Sequence, residues 1–317
     1  MTLVYSCKTT MAVAIVNYNT RDYLRACLST VLSQAPSEVI VVDNGSSDDS
    51  LEMVHADYPS VVVQANKTNV GYGAAANQAI ARCKAAYVLL LNADTLLKPG
   101  ALHALSSYLD QNPRAAIVGP RLIEVDGSLQ ASCYPYPTPL HTLLENSRCA
   151  ITLGRLIRRY APPFRKLYLR TWAHDYARVV PWLKGAALAI RRETFEAVDG
   201  FDPSFFMYFE DADLCYRLKA AGWQIHFAPV TTVVHVGGAS TRKYRADMTV
   251  RLLASTLQFY KRHSSRVRHA EAVTIVKGLM LARWLGGTFR FCLTRDRGKR
   301  SEIGADITAS RRILLGR

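Results

Sequence analysis

Short, nearly uninterrupted apolar runs alternate along the first part of the chain with segments whose apolar positions return every three to four residues. The runs MAVAIV (11–16), EVIVVD (38–43), VVVQ (61–64), YVLLLN (87–92) and AAIVG (115–119) have strand length and few polar positions, as strands covered on both faces do. Between them Leu24, Cys27, Leu28, Val31 and Leu32 follow the spacing of one helical face. Leu102, Leu105 and Leu109 do the same after Pro99, a residue suited to a first helical turn. Strand runs alternating with helical segments predict an α/β fold with a mostly parallel central sheet. The pattern weakens from 121 to 181, where prolines at 135, 137, 139, 162, 163 and 181 interrupt an arginine- and aromatic-rich stretch, as an insertion would. It returns with WLKGAALAI (182–190), a helix from about 211 to 221 closed by Gly222, and two strands, WQIHFAP and TTVVHV, and the core is expected to end near 240. Beyond it the spacing predicts amphipathic helices over 246–262 and 270–294, the second mixing Trp284, Phe289 and Phe291 with Lys277, Arg283 and Arg290. Those three cations argue against a span across hydrocarbon, and for a helix lying in a membrane interface or packed on the domain with a solvated basic face. The residues after 294 read as a flexible basic tail.

Composition adds little to this picture; charge adds more. The 317 residues are 49 % hydrophobic and 21 % charged, with 13 prolines and 18 glycines, which excludes a disordered, collagenous or low-complexity chain. Seven scattered cysteines without a CxxC pair suggest neither a disulfide framework nor a zinc knuckle, and a reducing, cytoplasmic setting is expected. The run from Met11 stops at Asn17, too short for a secretory signal. The net charge of +15 is unevenly spread: residues 1–147 carry −3, 148–192 carry +10, 193–240 carry −5 and 241–317 carry +13. The basic blocks lack regular aromatic interleaving and any helix-turn-helix, RRM or zinc-finger signature, so no nucleic acid partner is expected. An anionic membrane surface or a diphosphate-bearing substrate fits better. The expected organisation is a ligand-binding α/β domain over 1–240, with the insertion at about 121–181, and a basic helical extension over 241–317 associated with a membrane.

Candidate chemistry lies where the runs end, the place where α/β sheets bind ligands. The first run ends in Val16-Asn17-Tyr18-Asn19 and the second in Asp43-Asn44-Gly45-Ser46-Ser47; the third is followed by 66–71 with Asn69 and Gly71, and the fourth ends in Asn92-Ala93-Asp94. One such end is ordinary turn chemistry. Four in succession point to a binding edge. A dinucleotide fingerprint competes, because GYGAAA (71–76) fits G-x-G-x-x-A with Asp94 downstream. That motif needs its first glycine in the turn directly off a strand, and here 65–70 intervene.

In order and spacing, VNYN, VVDNGSSDDS, NVGYGAAANQAI, LLLNADTLL, PWLKGAALAIRRETFEAVDGFDPSFFMYFEDADLCYRLKAAGW and VVHVGGAS resemble the family-2 glycosyltransferases of GT-A fold, over about 11–240. The later blocks are most similar to the bacterial rhamnosyltransferase branch. The resemblance implies a nucleotide-sugar-binding GT-A fold and transfer of a sugar, such as L-rhamnose from dTDP-L-rhamnose, to a glycan or polyprenyl-diphosphate-linked saccharide in cell-envelope polysaccharide synthesis. The work would be done peripherally, at the inner face of the cell membrane. It implies that the Val16-Asn17-Tyr18 backbone lines the nucleotide pocket, that Asp43, followed by Asn44, contacts the base or ribose, and that the Asn69–Gly71 turn lies near the same nucleotide. Trp182 and Gly185 would line the acceptor side, where an indole can stack on a sugar ring, although a core tryptophan fits the sequence equally. His235 matches a position where some relatives supply a metal-binding histidine; a buried histidine at a strand end is the alternative.

Sugar transfer makes its own chemical demands. A departing nucleoside diphosphate gathers negative charge and calls for a divalent cation, Mg²⁺ or Mn²⁺, on hard oxygen ligands such as Asp94. The family often has Asp-x-Asp where this chain has Asn92-Ala93-Asp94, so one carboxylate is offered and a second ligand such as His235 is wanted. The acceptor hydroxyl must lose a proton, and Glu210, Asp211 and Asp213 crowd the entrance of a predicted helix. The resemblance makes Asp211 the base and Glu210 the residue that orients the acceptor, leaving Asp213 as a first-turn acid favoured by the helix dipole. A single base with a metal-bound leaving group implies inversion without a covalent nucleophile. Two rivals remain. A sugar-phosphate nucleotidyltransferase calls for a glycine-rich phosphate loop after the first strand, where VNYNTRD has none; a non-catalytic nucleotide-sugar or glycan-binding module would not need Asp94, Asp211 and His235. The choice among dTDP-, UDP- and GDP-sugars stays open.

Overall fold

The apolar runs become the strands of one large sheet in the computed structural model, which describes residues 11–146, 172–238, 245–294 and 296–315. In chain order the elements are β1 (Met11–Asn17), α1 (Arg21–Leu32), β2 (Val39–Asp43), α2 (Ser50–Asp57), β3 (Val62–Ala65), α3 (Tyr72–Ala81), β4 (Tyr87–Asn92), β5 (Thr95–Leu97) and α4 (Ala101–Gln111). There follow β6 (Ala115–Ile123), β7 (Leu129–Gln130), β8 (Cys133–Tyr134), α5 (Pro139–Asn146), β9 (Arg178–Val179), β10 (Trp182–Leu183), β11 (Ala187–Arg191) and α6 (Arg192–Glu196). The chain continues through α7 (Glu210–Ala220), β12 (Gln224–His235), α8 (Arg245–His263), α9 (Arg266–Leu293) and α10 (Arg297–Leu314). They divide into two units, one of Met1–Pro135, Leu169–Phe206 and Glu210–Ser240, the other of Tyr136–Tyr168, Met207–Phe209 and Thr241–Arg317.

In the first unit the strand order is β3-β2-β1-β4-β11-β6-β12-β5. The pairs β3–β2, β2–β1, β1–β4 and β6–β12 are parallel, while β11 runs antiparallel between β4 and β6, and β5 antiparallel beside β12. This is the mostly parallel α/β sheet expected. Alternation within β1 explains why its run is continuous. Met11, Val13 and Ile15 pack with Leu24, Leu28, Leu102 and Leu105 of α1 and α4, whereas Ala12, Ala14 and Val16 pack with Ala75, Ala79, Leu214 and Leu218 of α3 and α7.

Three runs behave differently from expectation. VVVQ is an edge strand rather than a doubly covered one, with Val62 46 % exposed. WQIHFAP and TTVVHV are a single strand, β12, whose register with β6 slips between Phe227 and Thr232, around Pro229, which has no N–H to give the ladder.

The second unit is helical. Leu253 of α8 and Val276 and Met280 of α9 form a small core, joined by Ile313 and Leu314 of α10. Ser265 caps α9 by accepting from the Arg268 N–H. The stretch after 294, expected as a flexible tail, holds the helix α10. Among the described residues no helix is long and apolar enough to cross a membrane.

Candidate active site

Register aligns the polar strand ends. Asn17 pairs with Asp43, Val16 with Asn92, and Asp43 with Ala65, so β1, β2, β3 and β4 finish at one edge of the sheet. There Asn17 Nδ2 donates to Asp43 Oδ1 at 2.8 Å, and the Ser46 N–H donates to Asp43 Oδ2 at 2.9 Å. Asp43 and Asn17 are buried, and the carboxylate keeps acceptor capacity on both oxygens. Asn44 binds the next turn: its Oδ1 accepts from the Val70 N–H (3.0 Å) and Asn66 Nδ2 (3.1 Å), and its Nδ2 donates to Asn69 Oδ1 (2.9 Å) and the Gly71 carbonyl (3.2 Å). Gly71 sits at φ 91°, where a Cβ would come 2.5 Å from the Phe206 carbonyl oxygen, so only glycine fits the entrance to α3. Val16 is buried and Tyr18 half-buried beside this network.

Asn92-Ala93-Asp94 leads from β4 into β5, which pairs with the end of β12 and sets Thr95 opposite His235. His235 Nε2 therefore lies 3.3 Å from Asp94 Oδ1 and 3.3 Å from Asn92 Nδ2. All but Asn92 are buried, and Asn92 Oδ1, itself shielded from solvent, has no hydrogen-bond partner among the described residues. On the other side of the ring, His235 Nδ1 is 2.6 Å from Gln130 Oε1. Gln130 Nε2 donates to Glu124 Oε1 (2.6 Å) and to the His235 carbonyl (3.2 Å), and Lys184 Nζ donates to Gln130 Oε1 (3.3 Å). Among the described residues no group of three or more His, Cys, Asp or Glu side chains is placed to hold a metal. The pair Asp94 and His235, with an unpaired amide oxygen on Asn92, nonetheless fits a divalent cation that takes its other ligands from a diphosphate and water.

The first turn of α7 supplies the acids. Asp211 Oδ2 accepts from the Gly185 N–H at 2.9 Å and Oδ1 from its neighbour's N–H on Ala212 at 2.8 Å. Burial pushes the Asp211 carboxyl up from 3.8 to about 6, against the pull of those donors and of the Lys184 charge. Glu210 is buried with Oε2 unpartnered among the described residues; burial, then the Asp211 charge, drives its carboxyl well above the ordinary range. Asp213 has the structural role expected. It is fully buried and pairs with Arg217 Nε at 2.8 Å, while Arg217 also donates to the Val198 and Gly200 carbonyls, tying the helix to the turn before it.

Tyr72 joins these groups, and the sequence reading missed it. Its hydroxyl donates to the Gly185 carbonyl at 3.0 Å, the same residue whose N–H holds Asp211. Burial raises the phenol well above its ordinary range, and the charges of Glu210, Asp211 and Asp94 add to the effect. The available signal was an aromatic inside NVGYGAAA, hidden by the competing glycine pattern; Gln130 and Glu124 carried no motif at all. A Cβ on Gly185 would meet Asp211 Oδ2 at 3.5 Å, an ordinary contact, so glycine there leaves the carboxylate uncovered rather than relieving a clash. Trp182 is half-buried on β10, its ring stacked on Tyr134 with centroids 4.7 Å apart and its Nε1 donating to the Pro135 carbonyl. Arg155, Arg158, Arg159 and Arg165, of the basic block over 148–192, lie outside the described residues.

Comparison with known proteins gives the family and the fold. The sequence profile described as glycosyltransferase-like family 2 matches residues 9–278. An N-acetylglucosaminyl-diphospho-decaprenol L-rhamnosyltransferase of Mycobacterium tuberculosis is 31 % identical over 268 residues, covering 80 % of this chain and 85 % of the relative. The rhamnosyltransferase WbbL of Escherichia coli K12 is 25 % identical over 257 residues, covering 79 % and 92 %. In fold the chain is similar to a mannosyltransferase of Pyrobaculum calidifontis solved with GDP-Man and Mn²⁺, with a TM-score of 0.54 and 16 % identity over 97 % of this chain and 88 % of that one.

Proposed function

The chain belongs to glycosyltransferase-like family 2, and from that premise we propose that it is an inverting transferase moving L-rhamnose from dTDP-L-rhamnose to a hydroxyl of a polyprenyl-diphosphate-linked saccharide, in the building of a cell-envelope polysaccharide. Both rhamnosyltransferase relatives support this choice of sugar. The nucleotide rests on the Val16-Asn17-Tyr18 backbone, with Asp43 and Asn44 taking its base and ribose and the Asn69–Gly71 turn closing beside it. Asn92, Ala93 and Asp94 face the diphosphate. Asp94 and His235 are the residues that would hold Mg²⁺ or Mn²⁺, which when bound offsets the charge gathering on the departing diphosphate.

Asp211 takes the acceptor proton. With its carboxyl near 6 it is ionised at neutral pH yet basic enough to draw a proton from an attacking hydroxyl. The Gly185 and Ala212 N–H groups fix its two oxygens, so the remaining lone pairs have a set direction. Glu210, whose carboxyl burial pushes well above the ordinary range, orients the acceptor, and Trp182 offers a ring face on the acceptor side. Attack from the base side, opposite the leaving diphosphate, inverts the anomeric carbon. The Asp211 carboxylate, fixed through both oxygens by the Gly185 and Ala212 N–H groups, is the observation that carries this reading.

The catalytic domain would span 1–240 and the basic extension 241–317, working peripherally on anionic lipid at the inner face of the cell membrane; the +13 of the extension supports that placement. A donor panel tests the function. dTDP-L-rhamnose with Mn²⁺ should raise the melting temperature, a donor at 100 times its Kd adding about 2.7 kcal/mol, and should be consumed with a lipid-linked acceptor. UDP- and GDP-sugars should do so weakly, and EDTA should stop turnover. Protection by none of the donors would overturn the reading, and full activity after EDTA would overturn the cation.

A further inference from the structure

Gln130 belongs to no motif, yet it is buried against the ring of His235, and its surroundings leave it one orientation. Glu124 Oε1 accepts only, so the atom of Gln130 that meets it at 2.6 Å is the amide nitrogen. The same nitrogen donates to the His235 carbonyl, and the Lys184 ammonium, which only donates, reaches the opposite atom of the amide. Three independent partners therefore agree that Gln130 turns its oxygen toward His235 Nδ1. An amide oxygen cannot donate, so Nδ1 of the neutral ring carries the hydrogen and Nε2 the lone pair. That lone pair points to the side where Asp94 Oδ1 and Asn92 Nδ2 stand, each at 3.3 Å.

We infer that Gln130 is a positioning residue that locks His235 in its Nδ1–H tautomer and so delivers the Nε2 lone pair toward Asp94, with Glu124 holding Gln130 in register. Hydrogen bonding of the far ring nitrogen is the usual device for orienting an imidazole ligand. The hairpin geometry serves the same end. The β6–β7 turn is closed by Gly127 at φ 82°, and the ladder sets Gln130 opposite Leu122. This short strand brings Gln130 to a histidine 105 residues away. The inference deepens the cation reading above and rests on it only for the consequence, not for the tautomer.

The tautomer can be read without metal. In ¹⁵N-labelled, metal-free full-length protein, at a pH alkaline enough to leave the ring neutral, His235 should show a protonated Nδ1 and a bare Nε2 by long-range ¹H–¹⁵N correlation. Gln130→Met keeps the length and removes the acceptor; it should release the ring to a mixture of tautomers and weaken Mn²⁺ binding, measured with dTDP present, by about 10-fold or more. Glu124→Gln keeps an oxygen that accepts from Gln130 Nε2 and should preserve both the single tautomer and the affinity, whereas Glu124→Met removes that acceptor and should loosen both. A wild-type ring protonated at Nε2, or a Gln130→Met protein with an unchanged His235 spectrum, would overturn the inference. Should Gln130→Met fail to fold, the wild-type spectrum and the two Glu124 variants still decide it. Wild-type protein with the expected tautomer but no Mn²⁺ binding would uphold the hold on the ring and overturn the cation reading instead.

Discussion

As the proposed base, Asp211 has to be ionised near neutrality while half-buried, and the balance between those demands is visible in its partners. Desolvation favours the protonated acid, and two backbone N–H donors with the Lys184 charge restore part of the anion's stability. Activity should therefore rise with pH through about 6 and level off above it. Asp211→Asn should bind donor normally, lose transfer by roughly 100-fold or more, and lack that rising limb. Stability should move the other way. Because the folded-state value is raised from 3.8 to about 6, protonated Asp211 contributes stability fully below 3.8 and that contribution is lost as the pH climbs through about 6. Melting curves between pH 4 and 7 should accordingly fall more steeply for the wild type than for Asp211→Asn, and parallel curves would contradict the assignment. At this scale the sequence displayed Asp43, Asp94, Asp211 and His235 because each sits in a local motif. It concealed Tyr72, Gln130 and Glu124, whose partners are brought in by strand pairing and by the packing of α3, across up to 113 residues.

Among the elements, α9 has two apolar faces where a helix packed on a domain needs one. Ala272, Val276 and Met280 are buried in the helical unit. Leu281, Leu285, Phe289 and Leu293 recur every four residues and are 45 %, 56 %, 68 % and 67 % exposed. At about 100° per residue this row lies on the far side of the helix from the buried one. Of the aromatics singled out in the sequence, only Phe289 belongs to the row; Trp284 and Phe291 are half-buried, and the Arg300 guanidinium stands 4.5 Å over the Phe291 ring. An anionic lipid surface is the occupant that suits such a row, since Lys277 and Arg290 are exposed on the same helix and Glu271 is its one acid. Leu285→Glu with Phe289→Glu should abolish most flotation with anionic vesicles while leaving the melting temperature and donor hydrolysis unchanged. Unchanged flotation, or a change in oligomeric state in place of it, would mean that the row meets something other than lipid. The helical periods of α1, α4 and α8 were plain in the sequence. That of α10 was masked by its many cations, although Ile303, Ile307, Ser310 and Leu314 keep the helical spacing. The edge position of β3 could not be read at all, because an apolar run does not say which side lacks a neighbour.

For the molecule as a whole, charge and apolar surface would make separable contributions to the proposed membrane attachment. Residues 1–147 and 193–240 carry −3 and −5, whereas 148–192 carry +10 and 241–317 carry +13, so the attraction to anionic lipid resides in those two blocks and most of it in the extension. Each Lys or Arg near such a surface contributes ~1 kcal/mol, an attraction that fades within a Debye length of ~8 Å at physiological salt. The row on α9 contributes independently of salt, because burial of leucine and phenylalanine is governed by the area removed from water. Binding of the full-length protein to vesicles should therefore have two components. On anionic vesicles it should be strong at low salt and fall to a plateau as salt is raised, and on zwitterionic vesicles it should begin at that plateau and ignore salt. The Leu285→Glu, Phe289→Glu protein should lose the plateau yet keep some attachment to anionic vesicles at low salt. Equal binding to both vesicle types at low salt would remove the role assigned to the basic extension, and a wild-type protein without a plateau would remove the one assigned to the row.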